Sequence, residues 1–240
     1  MEAAIEHEQF WRACRHALLE RHAAIAPDAR RAWNRQITRR LVAAFPLLSG
    51  LTLGFRQPRE TEFDSRPAVR WLRRRGVRVA ALSSIGDGDG DDRSAANAAA
   101  GLAHALLIPL IGFDDRGYRL DHGDGLFRRL LATARPQPLK IGIGYTPARL
   151  PTTRPSEDDV PMDFIVTEAG IHHVDRGRLE IIEDLAEARA LIAETLRRRH
   201  LLDAALSDIA DNSSNSLLAR PQYSSPPCYA HELDPFYRDA

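Results

Sequence analysis

The residues best suited to chemistry lie in one stretch, Leu107 to Arg129, where an apolar run gives way to a turn, a glycine-bearing loop and a basic helix start. Gly123 and Gly125 allow a bound group to come close to the backbone, and the first turn of the following helix offers N–H groups without an intrahelical acceptor. Arg119 and Arg129 flank that point, and guanidinium forks match phosphate oxygens in shape and charge. These types and spacings support phosphate binding with neutralisation of negative charge. A two-glycine loop beside arginines also suits an ordinary strand-to-helix connection, so the rest of the chain must decide its meaning.

Carboxylates are the other chemical resource. Glu157, Asp158 and Asp159 fall in a proline-rich loop from Pro147 to Pro161, whereas Asp163 immediately precedes an apolar strand and is the better candidate for a fixed carboxylate. Asp87, Asp89 and Asp91 alternate as calcium ligands would, but Ala98 stands where an EF-hand loop needs its last carboxylate, so this run reads as a solvated loop. Cys228 and His231 supply only half of a structural zinc site and fit a docking tail better. Cys14 and Cys228 are too few for a disulfide framework.

The elements that must position these residues alternate between helix and strand, as in an α/β fold. Apolar residues at Phe10, Cys14, Leu18 and Ala24 predict a helix over Glu8–Ile25, and Asp28 is placed to cap a second one running to Phe45. Leu51–Phe55 and Val77–Leu82 read as strands around a helix over Ala68–Arg75, which Pro67 opens and Gly76 closes. Ser83–Asn97 has no periodicity and reads as a mobile loop. Ala105–Phe113 reads as one buried parallel strand, followed by a helix over Leu126–Ala134 and strands at Leu139–Tyr145 and Phe164–Thr167. Ile181, Leu185, Ala188, Ile192 and Leu196 predict a helix over Arg178–Arg199, and Leu201–Ile209 a shorter one.

Composition sets the bounds. A chain of 240 residues, 44% hydrophobic, is long enough to bury a good core. Its 33 basic and 33 acidic side chains leave no global field to attract nucleic acid or an anionic membrane, so neither is expected as a partner. No apolar stretch suits a signal peptide or a membrane span, which predicts a soluble cytoplasmic protein. Lys140 is the only lysine.

Several motifs in order carry a resemblance: Trp11-Arg12-Ala13-Cys14-Arg15, Thr61 to Pro67, Leu107 to Arg129, and Asp158 to Glu168. The chain resembles the 5-formyltetrahydrofolate cyclo-ligase family, also called methenyltetrahydrofolate synthetase, over roughly residues 8–173. The resemblance implies a three-layer α/β sandwich with a mainly parallel sheet, here followed by a helical extension and polar tail over 178–240 that would dock on a partner or second subunit. It implies ATP- and Mg2+-dependent closure of 5-formyltetrahydrofolate to 5,10-methenyltetrahydrofolate, with ATP and reduced folate as partners. Carried over residue by residue, Arg15, Arg119, Gly123, Gly125 and Tyr145 would meet ATP, Arg119 and Arg129 would act in catalysis, Glu62 would contact the folate and Asp163 would lie at the magnesium ion. Asp121, Asp124 and Arg128 depart from the family loop, Arg128 standing where an aspartate would hold magnesium. The region 83–104 is also shorter and lacks aromatic residues to hold a pterin. The alternative is therefore a degenerate, non-catalytic nucleotide- or folate-binding or interaction protein.

Overall fold

Strands Thr52–Arg56 (β1), Arg78–Leu82 (β2), Ala105–Pro109 (β3), Leu139–Ile143 (β6), Phe164–Val166 (β8), Ile171–Asp175 (β9) and Arg178–Ile182 (β10) form one seven-stranded sheet in the order β10-β9-β8-β6-β3-β1-β2. The structure is a computed structural model and describes residues 2–59, 61–82, 103–120 and 125–202. Ser83–Asn97, Gly123 with its neighbours Asp121 and Asp124, and the tail with Cys228 and His231 lie outside the described residues. The strands from β2 to β8 run parallel, and β9 and β10 turn back antiparallel at one edge.

Every residue of β3 and of β6 is buried, as a parallel sheet covered on both faces requires. Side chains alternate between the faces. Ala105, Leu107, Ile141, Ile143, Phe164 and Val166 enter one core cluster, and Leu106, Ile108 and Ile165 enter the other. On the first face lie the helices Pro27–Ala44 (α2), Arg66–Arg74 (α3) and Leu185–Arg198 (α5). On the second lies Leu126–Thr133 (α4), which buries Leu126, Phe127 and Leu131. A three-stranded sheet, Gly112–Asp114 (β4), Arg119–Leu120 (β5) and Arg149–Leu150 (β7), follows the carboxy-terminal ends of β3 and β6. The long helix Glu2–Ala23 (α1) packs Leu18 on Ile111 and Leu120 beside it. Each fully buried leucine or isoleucine in these clusters contributes about 1.5–3 kcal/mol relative to exposure.

Three expectations need correction. The apolar run Ala105–Phe113 is not one strand: Leu110 N–H still donates to Ile143 O of β6, but Ile111 N–H donates to Leu120 O, so the chain leaves one sheet and enters another between adjacent residues. The helix expected over Arg178–Arg199 begins at Leu185. Arg176 and Gly177 both take positive φ, 46° and 75°, and form a two-residue hairpin turn that makes Arg178–Ile182 the edge strand β10. The helix then starts at its own cap, Asp184, whose carboxylate accepts from Ala186 and Glu187 N–H. Asp28 is not a cap either; Ala26 holds that place with Pro27 in the first turn, and Asp28 pairs with Arg31.

One polar lock ties α5 to the amino-terminal ends of β6 and β8. Asp163 accepts from Lys140 N–H at 2.7 Å, faces Lys140 Nζ at 3.1 Å, and takes a two-pronged pair from Arg199 at 2.8 and 2.5 Å. Arg199 also donates to Pro138 O at 2.6 Å. Burial pulls the Lys140 ammonium below the usual lysine range, and the Asp163 carboxylate opposes that shift. Removing the shared carboxylate strands a buried cation, so Asp163→Ala is expected to lose about 3–5 kcal/mol in urea unfolding at neutral pH. A loss below about 1 kcal/mol would show that the lock contributes little.

Candidate functional site

In parallel sheets covered on both faces, ligands meet the carboxy-terminal ends of the strands. At that end of β1 sits an ion pair closed to solvent: Arg56 Nη2 donates to Glu62 Oε1 at 2.6 Å, with side-chain exposures of 7% and 2%. Glu62 Oε2 accepts Arg59 N–H at 2.8 Å, and Arg56 Nη1 donates to Gln57 O at 3.1 Å. Glu62 thus organises the loop after β1 through both of its carboxylate oxygens. Just beyond it, Asp64 accepts from the Arg66 backbone and guanidinium at the start of α3, and that hydrogen bonding holds its carboxyl below the usual range.

At the same end of β6 and β8, Tyr145 is a buried hub. Its hydroxyl donates to Asn34 Oδ1 at 2.7 Å, and its ring meets His22 of α1 and Trp33 of α2, each at 5.6 Å between centroids. Burial pushes its phenol up to about 12; Arg30 works against the rise, and Glu168 and Asp64 add to it. Glu168 in turn accepts Thr146 N–H at 3.1 and 3.0 Å. The structure therefore gives Tyr145 a packing role between α1 and α2.

Of the phosphate-type residues, Arg15 is on α1, Arg119 on β5, Gly125 immediately before α4 and Arg129 on α4. Arg119 is buried on β5 beside Leu120, and Arg15 lies one helical turn before Leu18, which packs on that same leucine. Gly125, with φ +65°, is the residue before α4, and a side chain there would meet Arg129 Nη1 at 2.7 Å. Arg129 therefore folds back over its own helix start, and the positive φ at Gly125 favours glycine there. Gly123 lies outside the described residues.

Arg128 has a partner that the spacing did not predict. It donates to both oxygens of Asp159 at 3.0 and 3.2 Å, while its guanidinium lies 5.1 Å from the Trp11 ring. Asp159 also accepts from Ser156 N and Oγ, and Trp11 Nε1 donates to Thr153 O. One cluster thus straps α1 and α4 to the loop at 153–159. The buried Asp114 ties the same loop to the β4 turn, accepting Arg116 and Tyr118 N–H through Oδ1 and Thr153 N–H and Oγ through Oδ2.

Asp163 stands apart from the rest. It lies at the amino-terminal ends of the strands, with both oxygens engaged by Lys140 and Arg199. Among the described residues no group of three or more His, Cys, Asp and Glu side chains is arranged to hold a metal. Arg128 has no lone pair to offer a cation. Arg56 and Asn34 make contacts here that spacing and motif did not single out. Only Arg56, on a strand end six residues before Glu62, left a usable signal.

The fold and these contacts define a three-layer α/β protein with polar groups collected at the carboxy-terminal edge of a mainly parallel sheet. No protein-family model matches the chain, and no curated protein matches it. Among solved structures it resembles the 5,10-methenyltetrahydrofolate synthetase of Mycoplasma pneumoniae, at 23% identity and a TM-score of 0.55, over 66% of this chain and 98% of that one. It is likewise similar to the 5,10-methenyltetrahydrofolate synthetase of Aquifex aeolicus, at 18% identity and a TM-score of 0.55, over 70% of this chain and 94% of that one. The chain has the fold of these synthetases.

Two outcomes are expected. Arg128→Asp should destabilise the fold by about 1–2 kcal/mol through loss of a charge-assisted pair, and Arg128→Asp with Asp159→Arg should recover most of it; a double variant no better than the single would show that the pair does not couple. The second concerns Tyr145. Because folding raises its pKa, the unfolded chain releases the phenolic proton at lower pH than the folded one. Stability should be full below pH 10 and decline between 10 and about 12, and Tyr145→Phe should flatten that decline in melting curves.

Proposed function

We propose that the protein closes 5-formyltetrahydrofolate to 5,10-methenyltetrahydrofolate in an ATP-dependent reaction. The observation that carries the reading is the synthetase fold, which spans nearly the whole of both solved synthetases. Support comes from Glu62, paired with Arg56 just after the end of β1, and from the arginines Arg15 on α1, Arg119 on β5 and Arg129 on α4. In the proposed reaction the formyl oxygen attacks the terminal phosphorus of ATP and releases ADP. The neighbouring folate nitrogen then attacks the activated carbon, and phosphate leaves with the oxygen.

Such chemistry asks the protein mainly for positioning and charge neutralisation. Arg119 and Arg129 would face the transferred phosphoryl group and Arg15 the remaining phosphates, while the Gly125 backbone allows close approach. Glu62, paired with Arg56, would accept hydrogen bonds from the folate. Mg2+ would accompany the ATP phosphates, a setting in which it needs only one or two protein carboxylates.

A second reading, binding without turnover, is favoured by Arg128, which stands where a metal-binding aspartate would and is neutralised by Asp159. The assay is the ATP-dependent rise in methenyltetrahydrofolate absorbance on adding purified protein to 5-formyltetrahydrofolate. The rise is expected, and Arg119→Ala should slow it by about 10-fold or more, the order of effect of removing one charge-stabilising donor. No rise, together with calorimetric binding of ATP or the folate, would replace the first reading by the second; no binding at all would remove both.

A further inference from the structure

The chain carries no net charge, yet its charge is unevenly placed. Helices α2 and α3 lie side by side on one face of the sheet, and their outward surfaces are almost purely basic. Arg31, Arg35 and Arg39 recur every four residues along α2; Arg70 and Arg74 keep the same interval on α3 with Arg73 beside them, and all six are exposed. Asp28 is the only acidic residue on the two helices and is paired with Arg31, while Asp64, just before α3, is paired with Arg66. Arg35, Arg39, Arg70, Arg73 and Arg74 make no ion pair among the described residues. A four-residue helical step is about 6 Å along the axis, and packed helices lie about 8–10 Å apart, so the rows form a two-dimensional lattice of guanidinium groups.

We propose that the outer face of α2 and α3 binds a nucleic-acid backbone through its phosphates, without reading bases. Charge complementarity points to a polyanion, and guanidinium is the preferred phosphate partner. Two observations narrow the class. The exposed large hydrophobic side chains among the described residues are Leu47 and Ile181, neither of them on α2 or α3, so this face has nothing to insert into a bilayer. The tryptophans of the two helices are also withheld from stacking: Trp33 leans on Tyr145, and the Trp71 face is covered by Arg75 at 4.6 Å. With no free aromatic plane, recognition rests on phosphate contacts alone. The surface is independent of the proposed cyclisation.

The test is fluorescence anisotropy with a mixed-sequence DNA duplex and an RNA hairpin of equal phosphate number, over a salt series, beside co-sedimentation with phosphatidylserine-containing vesicles. Micromolar binding to at least one nucleic acid at low salt is expected, and the arms show which backbone is preferred. Neutralising Arg35, Arg39, Arg70 and Arg74 to Gln should weaken binding by about 10-fold or more and make the salt slope shallower by about 0.9 for each phosphate no longer neutralised. The same change at Arg176 and Arg178, on the β9–β10 hairpin, should leave both unchanged, with circular dichroism confirming that each variant is folded. Absence of binding at low salt, equal weakening by the hairpin variant, or vesicle binding as tight as nucleic-acid binding would overturn the proposal.

Discussion

A parallel sheet buried on both faces cannot stand without two covering layers, and the rest of this structure answers to that demand. The central strands β3 and β6 offer apolar side chains alternately up and down, so neither layer alone would dry the sheet. The first face is closed by α2, α3 and α5, and the second by α4 with the small sheet at its edge. Because the layers occupy both faces, polar groups have room only at the two ends of the strands and on the outer surfaces of the helices. The distribution of chemistry follows from this geometry.

The two strand ends are used differently. At the amino-terminal end, Lys140, Asp163 and Arg199 form a closed set of opposite charges in which every carboxylate oxygen is engaged. Both Asp163 oxygens are engaged within the fold, as both Glu62 oxygens are at the opposite end. At the carboxy-terminal end the charges are dispersed: Glu62 with Arg56, Asp64 with Arg66, Glu168 on the Thr146 backbone, and the arginines beside α4. Arg128 joins this end through its pair with Asp159.

Much of the architecture was legible because period and punctuation agreed. Pro67 and Gly76 bracket α3, and the doubly buried β3 is an unbroken apolar run. Two of the errors share one cause, that hydrophobic spacing does not say where a chain changes partner. Ile111 is as apolar as Ile108, yet it bonds to a different sheet. Ile181 fits the helical stripe of Leu185 to Leu196, but the Arg176-Gly177 turn sends it into a strand. Around Asp163 the pairs with Lys140 and Arg199 could not be read from spacing, because the partners lie 23 and 36 residues away. Zero net charge hid the basic face in the same way, since a sum carries no positions.

The solitary lysine has one more consequence. Lys140 is the chain's only ε-amine, and its side chain is 5% exposed within an ion pair. Folded, the described protein therefore shows almost no side-chain amine to the solvent; unfolded, it shows one. Any amine-directed label or conjugation at a side chain must wait for β6 and α5 to separate, so such a reaction would act as a clock for the opening of the sheet. The same residue that locks the fold would report its release.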